Sequence, residues 1–353
     1  MKFTMATAKM NAILGKLSKG VGSSKILPIT EYLKMELVEG TLTIVATDSA
    51  NFIEHTEKGV EGEDGTAIVQ ADKLIKLISK TTKQQVTVEL KETHLAVKGN
   101  GDYKVELFDT NEYPTYDFNT EIQGIAVKTA VLKKAFSINK SAIATETLVP
   151  ALTAYNIGSD VLTTDGVKVC INETAILQGQ RALIPQKLAD LLQSISTEEV
   201  YIQKEGNKLL FTTESTTIFG TELDGIEDYP DVAPLTGLEY SNIAKVKRKQ
   251  LLEAFDRISL FVDNTTNYGV KLRFATDALY IEDLKGKSFE KVEYTEPSAS
   301  TEEINILFNL GYITDIATAL SKDDLSIYYE NELPLKIKEV ENITFILSTM
   351  SPE

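Results

Sequence analysis

An α+β chain built as three repeated domains is what this sequence predicts, and three observations predict it. Landmarks recur in one order at intervals of about 120 residues, apolar helical spacing opens each interval and returns in its middle, and short alternating strands fill the rest. The opening helices carry Met10, Ile13, Leu14 and Leu17, then Leu132, Ala135 and Phe136, then Leu251, Leu252 and Phe255. The mid-interval helices are expected at 70–79, 184–196 and 309–320. Such an interval exceeds a solenoid repeat, which runs roughly 20–50 residues, and matches a small domain. The boundaries fall at 1–121, 122–239 and 240–353. The first two domains close on matching hinges, Tyr113-Pro114-Thr115-Tyr116-Asp117 and Asp228-Tyr229-Pro230-Asp231.

Between helices, period-two alternation marks strands at Leu42-Thr43-Ile44-Val45, Val86-Thr87-Val88-Glu89-Leu90, Val200-Tyr201-Ile202-Gln203 and Leu325-Ser326-Ile327-Tyr328-Tyr329. The turns at 99–102, 204–208 and 330–333 separate strands at hairpin spacing. Helices then cover one face of antiparallel sheet.

Composition narrows the function. With 42% apolar and 25% charged residues the chain reads as globular, and no stretch approaches the roughly 18 apolar residues of a membrane span. No secretory leader is legible at the start, and the single cysteine, Cys170, forbids an internal disulfide. A buried thiol and a cytoplasmic setting are expected.

Charge is distributed unevenly. The predicted helical segments at 7–20, 70–83, 128–143, 185–196, 247–262 and 310–322 together carry +12, which leaves −28 for the remainder of a chain whose total is −16. Lys9 and Lys16 lie seven apart, as do Lys133 and Lys140, so each pair shares a helical stripe. Lys73, Lys76, Lys80 and Lys83 follow the spacing of a single helix face. One such row is ordinarily a solvated surface. Several of them in an acidic protein point to a polyanion.

Catalytic chemistry is not legible. His55 and His94 lack a second ligand at metal spacing, and no nucleophile elbow, P-loop or dinucleotide fingerprint occurs. The Asp turns at Asp48, Asp165 and Asp283 recur once per repeat, which fits a structural turn. Neither cofactor nor metal is expected. A carbohydrate hydrolase using these carboxylates is disfavoured further by the absence of tryptophan.

Residues 25–52, KILPITEYLKMELVEGTLTIVATDSANF, resemble the signature region of the bacterial sliding clamps, the β subunit of DNA polymerase III. The start MKFT, the segment from Thr164-Asp165-Gly166 to Val169, IPQKLADLL, EDYPD and FNLGYITDIATAL are similar to family landmarks, in order and over essentially the whole chain. The resemblance implies the DNA clamp (processivity) fold. Three domains per subunit join head to tail in a homodimeric ring, with twelve helices lining the hole and sheets outside. Twelve helices of about 10 Å diameter enclose an opening of about 28 Å, enough for hydrated duplex. The implied function is non-catalytic: tethering a replicative polymerase to DNA that is encircled without regard to sequence.

On this resemblance the DNA-facing residues are Lys9, Lys16, Lys19, Lys25, Lys80, Lys133, Lys140 and Lys187. The subunit interface joins Lys73, Leu77 and Tyr103 of one copy to Leu260 and Phe261 of another. Polymerase and clamp loader dock short peptides in a cleft formed by Leu152, Thr164, Gly166, Val167, Val169, Pro230, Asn309, Tyr312, Ile346, Leu347 and Met350. Two departures bear on that cleft. Val167-Lys168 stands where the family commonly has His-Arg, and the chain ends Ser348-Thr349-Met350-Ser351-Pro352-Glu353 in place of the usual Met-Pro-Met-Arg-Leu type. The competing reading is a scaffold for replication or repair proteins that never encircles DNA.

Overall fold

The computed structural model describes residues 1–108, 112–296, 302–339 and 342–350, so Ser351, Pro352 and Glu353 of the altered ending lie outside the described residues. The helices among them are α1 (Thr7–Leu17), α2 (Ala71–Ser79), α3 (Thr129–Asn139), α4 (Gln186–Leu192), α5 (Ala233–Thr236), α6 (Arg248–Ile258) and α7 (Leu310–Ala319). Apart from the single turn α5, one order recurs three times: a strand, a helix, a group of strands, a helix and three strands.

Each opening helix starts directly from a strand without a side-chain cap on α1 or α6. A distant backbone carbonyl replaces the cap. Thr7 N–H donates to Gln84 O at 2.9 Å, Thr129 N–H to Glu198 O at 2.8 Å, and Arg248 N–H to Asp323 O at 2.7 Å. The orphan donor of a helix start is thus satisfied by the segment that enters the copy's final three strands. That explains why no capping residue is legible before these helices.

The apolar stripes pack as expected, with Met10, Ile13, Leu14 and Leu17 of α1 and Leu251 and Phe255 of α6 fully buried, while Leu252 is half-buried. The helix expected at 184–196 is shorter. Ile184 and Pro185 pair as strand with Tyr155 and Ala154, and the helix unwinds after Leu192 into a turn. The lysine row of 73–83 is also cut. α2 stops at Ser79, where Thr81 Oγ1 donates to Leu77 O at 2.8 Å, so Lys80 caps the helix and Lys83 lies beyond it. A Thr hydroxyl that bonds the carbonyl four residues back competes with the helix ladder.

The chain divides into two compact units, Met1–Lys133 with Gln186–Glu222, and Lys134–Pro185 with Leu223–Glu353. The first contains a five-stranded sheet and an eight-stranded sheet. In the latter, Thr216–Thr221 pairs antiparallel with Phe52–Lys58, Phe219 opposite Phe52. The second contains an eight-stranded and a four-stranded sheet, and its Lys168–Asn172 pairs antiparallel with Ile343–Leu347, Val169 opposite Ile346. Sheets that run on from one third of the sequence to the next divide the middle third between the two units.

The hinges are pinned by their tyrosines. Tyr113 Oη donates to Tyr32 O at 2.8 Å and to Val45 O at 3.3 Å, and Tyr229 Oη donates to Leu162 O at 3.2 Å. Burial raises both phenols well above the usual value. Val45 and Leu162 hold the same place in successive copies, three residues ahead of Asp48 and Asp165.

The Asp turns are structural. Asp48 Oδ1 accepts from Ala50 N–H and Asn51 N–H, and Asp165 Oδ1 from Val167 N–H and Lys168 N–H. Thr47 and Thr164 close the same turns by donating to Asn51 O and Lys168 O, each at 2.7 Å. The residue after each Asp has positive φ, +88° at Gly166 and +80° at Ser49. Asn can make the same acceptor contacts. Asp48→Asn and Asp165→Asn are therefore expected to shift stability by less than about 0.5 kcal/mol, and Asp48→Ala to cost about 1 kcal/mol, as chemical denaturation would measure.

Candidate nucleic-acid interface and partner cleft

Three of the predicted DNA-facing lysines come together in the first unit. Lys16 lies in the last turn of α1, Lys19 lies in the 3-10 turn Ser18–Gly20 that continues it, and Lys133 is on α3. Burial first, and then Lys19 and Lys16, hold the Lys133 ammonium below the usual lysine value. Lys16 Nζ also donates to Ser196 Oγ at 3.1 Å. Like charges held this close repel one another, and an anion relieves the repulsion.

The remaining lysines are placed less uniformly. Lys9 pairs with Glu57 at 2.8 Å, so a carboxylate offsets its field locally. Lys25, Lys80, Lys140 and Lys187 are exposed, Lys25 in the loop before Pro28 and Lys187 on α4. α1 and α3 superpose in sequence with an offset of 122, from Thr7–Leu17 to Thr129–Asn139. At that offset Lys133 and Lys140 align with Asn11 and Ser18, not with Lys9 and Lys16. Basic character recurs; individual lysine positions do not.

The predicted cleft residues divide between two features of the second unit. Leu162, Val169 and Ile346 form a buried apolar patch, with Ile171, Tyr229, Val232 and Leu235 packed over it. Leu347 belongs instead to the core cluster that contains Phe345, because neighbours on a strand face opposite sides. Thr164 is buried with its hydroxyl committed to the Asp165 turn. Leu152 is buried in the 3-10 turn Pro150–Thr153, whereas Pro230 and Gly166 are exposed.

The second feature is a cavity of about 720 Å³ whose lining includes Lys140, Glu146, Asp165, Val167, Lys168 and Tyr312. Lys168 is buried, with Nζ 3.2 Å from Asp315 Oδ2, 3.5 Å from Asp165 Oδ2 and 4.9 Å from the centre of the Tyr312 ring. Asn309 caps α7, accepting from Gly311 N–H at 2.9 Å and Tyr312 N–H at 3.3 Å. Met350 N–H donates to Leu307 O at 2.8 Å. Tyr229, Val232 and Leu235, which pack on the apolar patch, and Asp315, which pairs with Lys168, are not among the residues the sequence singled out for the cleft. The i, i+3 spacing of Val232 and Leu235 just after the hinge was the available signal.

At the predicted subunit interface Leu260 and Phe261 follow the end of α6, 80% and 45% exposed, and Tyr103 lies on the edge strand Asp102–Glu106. Leu77 is half-buried, and exposed Lys73 pairs with Glu106 at 3.5 Å. Phe289 starts another edge strand, Phe289–Glu293, and is also exposed. Arg257 of α6 holds Glu290 of that strand through Nε at 2.7 Å and Nη2 at 2.8 Å.

The two histidines are accounted for separately. His55 is buried on the strand Phe52–Lys58 beside Thr216, and burial and then Lys16 hold its imidazole below the ordinary 6.5. His94 Nδ1 lies 3.1 Å from Thr93 Oγ1. Among the described residues no three His, Cys, Asp or Glu side chains converge to hold a metal, and no helix is long and apolar enough to cross a membrane. Burial raises the Cys170 thiol well above its usual value.

Repeated helix-and-sheet modules with clustered lysines define a binding protein of the clamp class. Profiles of known families agree. The N-terminal domain of the DNA polymerase III beta subunit matches residues 1–117, and its C-terminal domain matches residues 237–351. The beta sliding clamps of Staphylococcus aureus and Bacillus subtilis are 23% and 24% identical to the chain, each alignment covering 98% of both sequences. The solved Bacillus subtilis DNA polymerase sliding clamp superposes with a TM-score of 0.89 at 23% identity over 100% of both chains. The Thermotoga maritima DNA polymerase III beta subunit gives 0.88 at 16% identity, again over 100% of both. The chain belongs to the DNA polymerase III beta subunit family: it is a divergent beta sliding clamp, the non-catalytic processivity subunit of that polymerase in DNA replication.

Removing the Lys168 ammonium leaves two carboxylates without their shared partner. Asp315 is open to solvent, which limits the penalty. Lys168→Met is expected to lower stability by about 1–3 kcal/mol. Asp315→Asn in the same chain should recover part of that loss in a double-mutant denaturation cycle.

Proposed function

We propose that two copies of this chain close head to tail around duplex DNA and tether the polymerase by topology. The clustering of Lys16, Lys19 and Lys133 in a chain of net charge −16 carries this reading. Lys9, Lys25, Lys80, Lys140 and Lys187 add to the lining, Lys9 less than the others because of Glu57. Contacts to phosphate hold without reading sequence, and their dependence on released counterions keeps them weak enough for sliding.

The reading treats 1–121, 122–239 and 240–353 as three copies of one module. The threefold element order and the three equivalent carbonyl caps support it. At the subunit seam the edge Asp102–Glu106 of one copy meets the edge Phe289–Glu293 of another. Lys73, Leu77 and Tyr103 pack there against Leu260 and Phe261. Exposed apolar side chains beside unpaired strand edges support this pairing, since such edges in natural proteins are usually covered. In a two-fold ring the two seams are identical.

Polymerase and clamp loader dock short peptides over the patch of Leu162, Val169 and Ile346 and beside Val167 and Tyr312. Leu152, Pro230, Asn309 and Met350 border the groove. An apolar anchor with a few polar groups suits one or two buried peptide side chains.

Leu260→Ala with Phe261→Ala is expected to give monomers in sedimentation that no longer stimulate processive synthesis; full dimer with full activity would reject the seam. The ring itself is tested on nicked circular DNA. Clamp loaded there should stay until the DNA is linearised and then leave by the ends, whereas a non-encircling scaffold would be indifferent to linearisation. Reversing the charge of Lys16, Lys80 and Lys140 should reduce loading and retention without unfolding the protein.

A further inference from the structure

Each third of the chain supplies one strand that follows an Asp turn and one that follows a hairpin. The Asp turns close on Asp48 N–H to Asn51 O, Asp165 N–H to Lys168 O and Asp283 N–H to Ser288 O, at 3.2, 3.3 and 3.2 Å. The next residues, Phe52, Val169 and Phe289, therefore hold one equivalent place. The hairpins open on the pairs Lys98–Asp102, Thr212–Thr217 and Lys338–Thr344, so Asp102, Thr217 and Thr344 hold another.

Both joins made within the chain use a single register in these terms. Phe52 lies opposite Phe219, two residues past Thr217, and Val169 lies opposite Ile346, two past Thr344. The flanking bonds agree. Thr56 N–H donates to Ser215 O at 2.9 Å and Glu173 N–H to Asn342 O at 2.8 Å, at matching distances from turn and hairpin. The third pair of strands, Asp102–Glu106 and Phe289–Glu293, is left at the ends of its two sheets.

We propose that two copies of this chain join those edges in the register of the internal joins, and that the opposite charges of Asp102 and Lys291 make each copy select another of its kind. This rests on the reading that two copies close as a ring. The register sets Lys104 opposite Phe289, Tyr103 opposite Glu290 and Asp102 opposite Lys291. Charge fits it. Asp102 faces Lys98 within its own sheet, and Lys291 Nζ lies 3.2 Å from Asp277 Oδ2. Joined, Lys98, Asp102, Lys291 and Asp277 form one row of alternating sign across the seam. A slip of two residues toward Glu293 would set Asp102 opposite Glu293 and Lys104 opposite Lys291, like charge against like. The equivalent places in the internal joins hold Thr217 with Glu54 and Thr344 with Ile171. An opposite-charge pair stands only at the join whose partner has to be chosen from solution.

The experiment measures dimerisation of full-length chains by sedimentation, alone and mixed. Asp102→Lys and Lys291→Asp each place like charges at both seams, and each homodimer is expected to weaken about tenfold. Both positions are exposed, so thermal melting of the variants should stay close to the parent. Mixing the two variants restores an opposite pair at both seams, so mixed dimers should form with near-parent affinity. Altered contacts to Lys98 and Asp277 are common to the homodimers and the mixture, so the recovery reports on the seam alone. Separately, Asp102→Cys with Lys291→Cys should give a covalent dimer on oxidation, because directly opposed residues lie within disulfide reach. Lys104→Cys with Lys291→Cys, one slip away, should not, and Cys170 is buried away from the reaction. Parent-strength homodimers of both variants, a mixture no tighter than its components, or cross-linking of the slipped pair alone overturns the register while leaving the ring standing. A parent that is monomeric at every concentration loaded overturns seam and ring together.

Discussion

Antiparallel pairing between a strand of one third and a strand of the next is the constraint on which the rest of this structure depends. Phe52–Lys58 lies against Thr216–Thr221 in the first unit, and Lys168–Asn172 against Ile343–Leu347 in the second. Backbone pairs of this kind continue a sheet without a gap, so every donor and acceptor along the seam is satisfied. Function follows from the same join. The Val169–Ile346 pair at the second seam is the floor of the apolar patch, and the adjoining Lys168 reaches Asp315 on α7. The peptide site proposed above would, on such a seam, be held by main-chain geometry more firmly than one on loops.

The second organising force is electrostatic, and it works against stability locally. Lys19 and Lys16 gather beside Lys133, where burial first and then their two charges raise the cost of charging the Lys133 ammonium. Nearby, Lys9 and Lys16 help to keep the buried His55 neutral. Elsewhere the chain disperses its charge into pairs, such as Lys204 with Glu222, Arg273 with Glu282 and Lys285 with Asp263. A surface left unpaired amid so much pairing is where a polyanion gains most.

Much of the fold was legible because it rests on local periodicity. Met10, Ile13, Leu14 and Leu17 marked α1, and the strand at Thr41–Thr47 followed from its alternation. The Asp turns read correctly as structure because Asx geometry is encoded within five residues. Where the reading failed, the deciding partner was remote or competing. α4 lost Ile184 and Pro185 to a strand whose partners are Tyr155 and Ala154, and the helix under the 73–83 row stops at Ser79, where the Thr81 hydroxyl takes a helix carbonyl. Leu347 was assigned to the cleft by position, yet strand alternation turns it into the core beside Phe345.

By itself the sequence determined the module: apolar spacing and turn chemistry are short-range signals read three times, and the hinge tyrosines are read twice. Only tertiary structure decided which lysines gather, and that Lys168 is buried between Asp165 and Asp315. The reason is physical. Periodicity fixes which face of an element is apolar, but charge clustering and exposure depend on what the opposite face meets, and that is set by residues a hundred or more positions away.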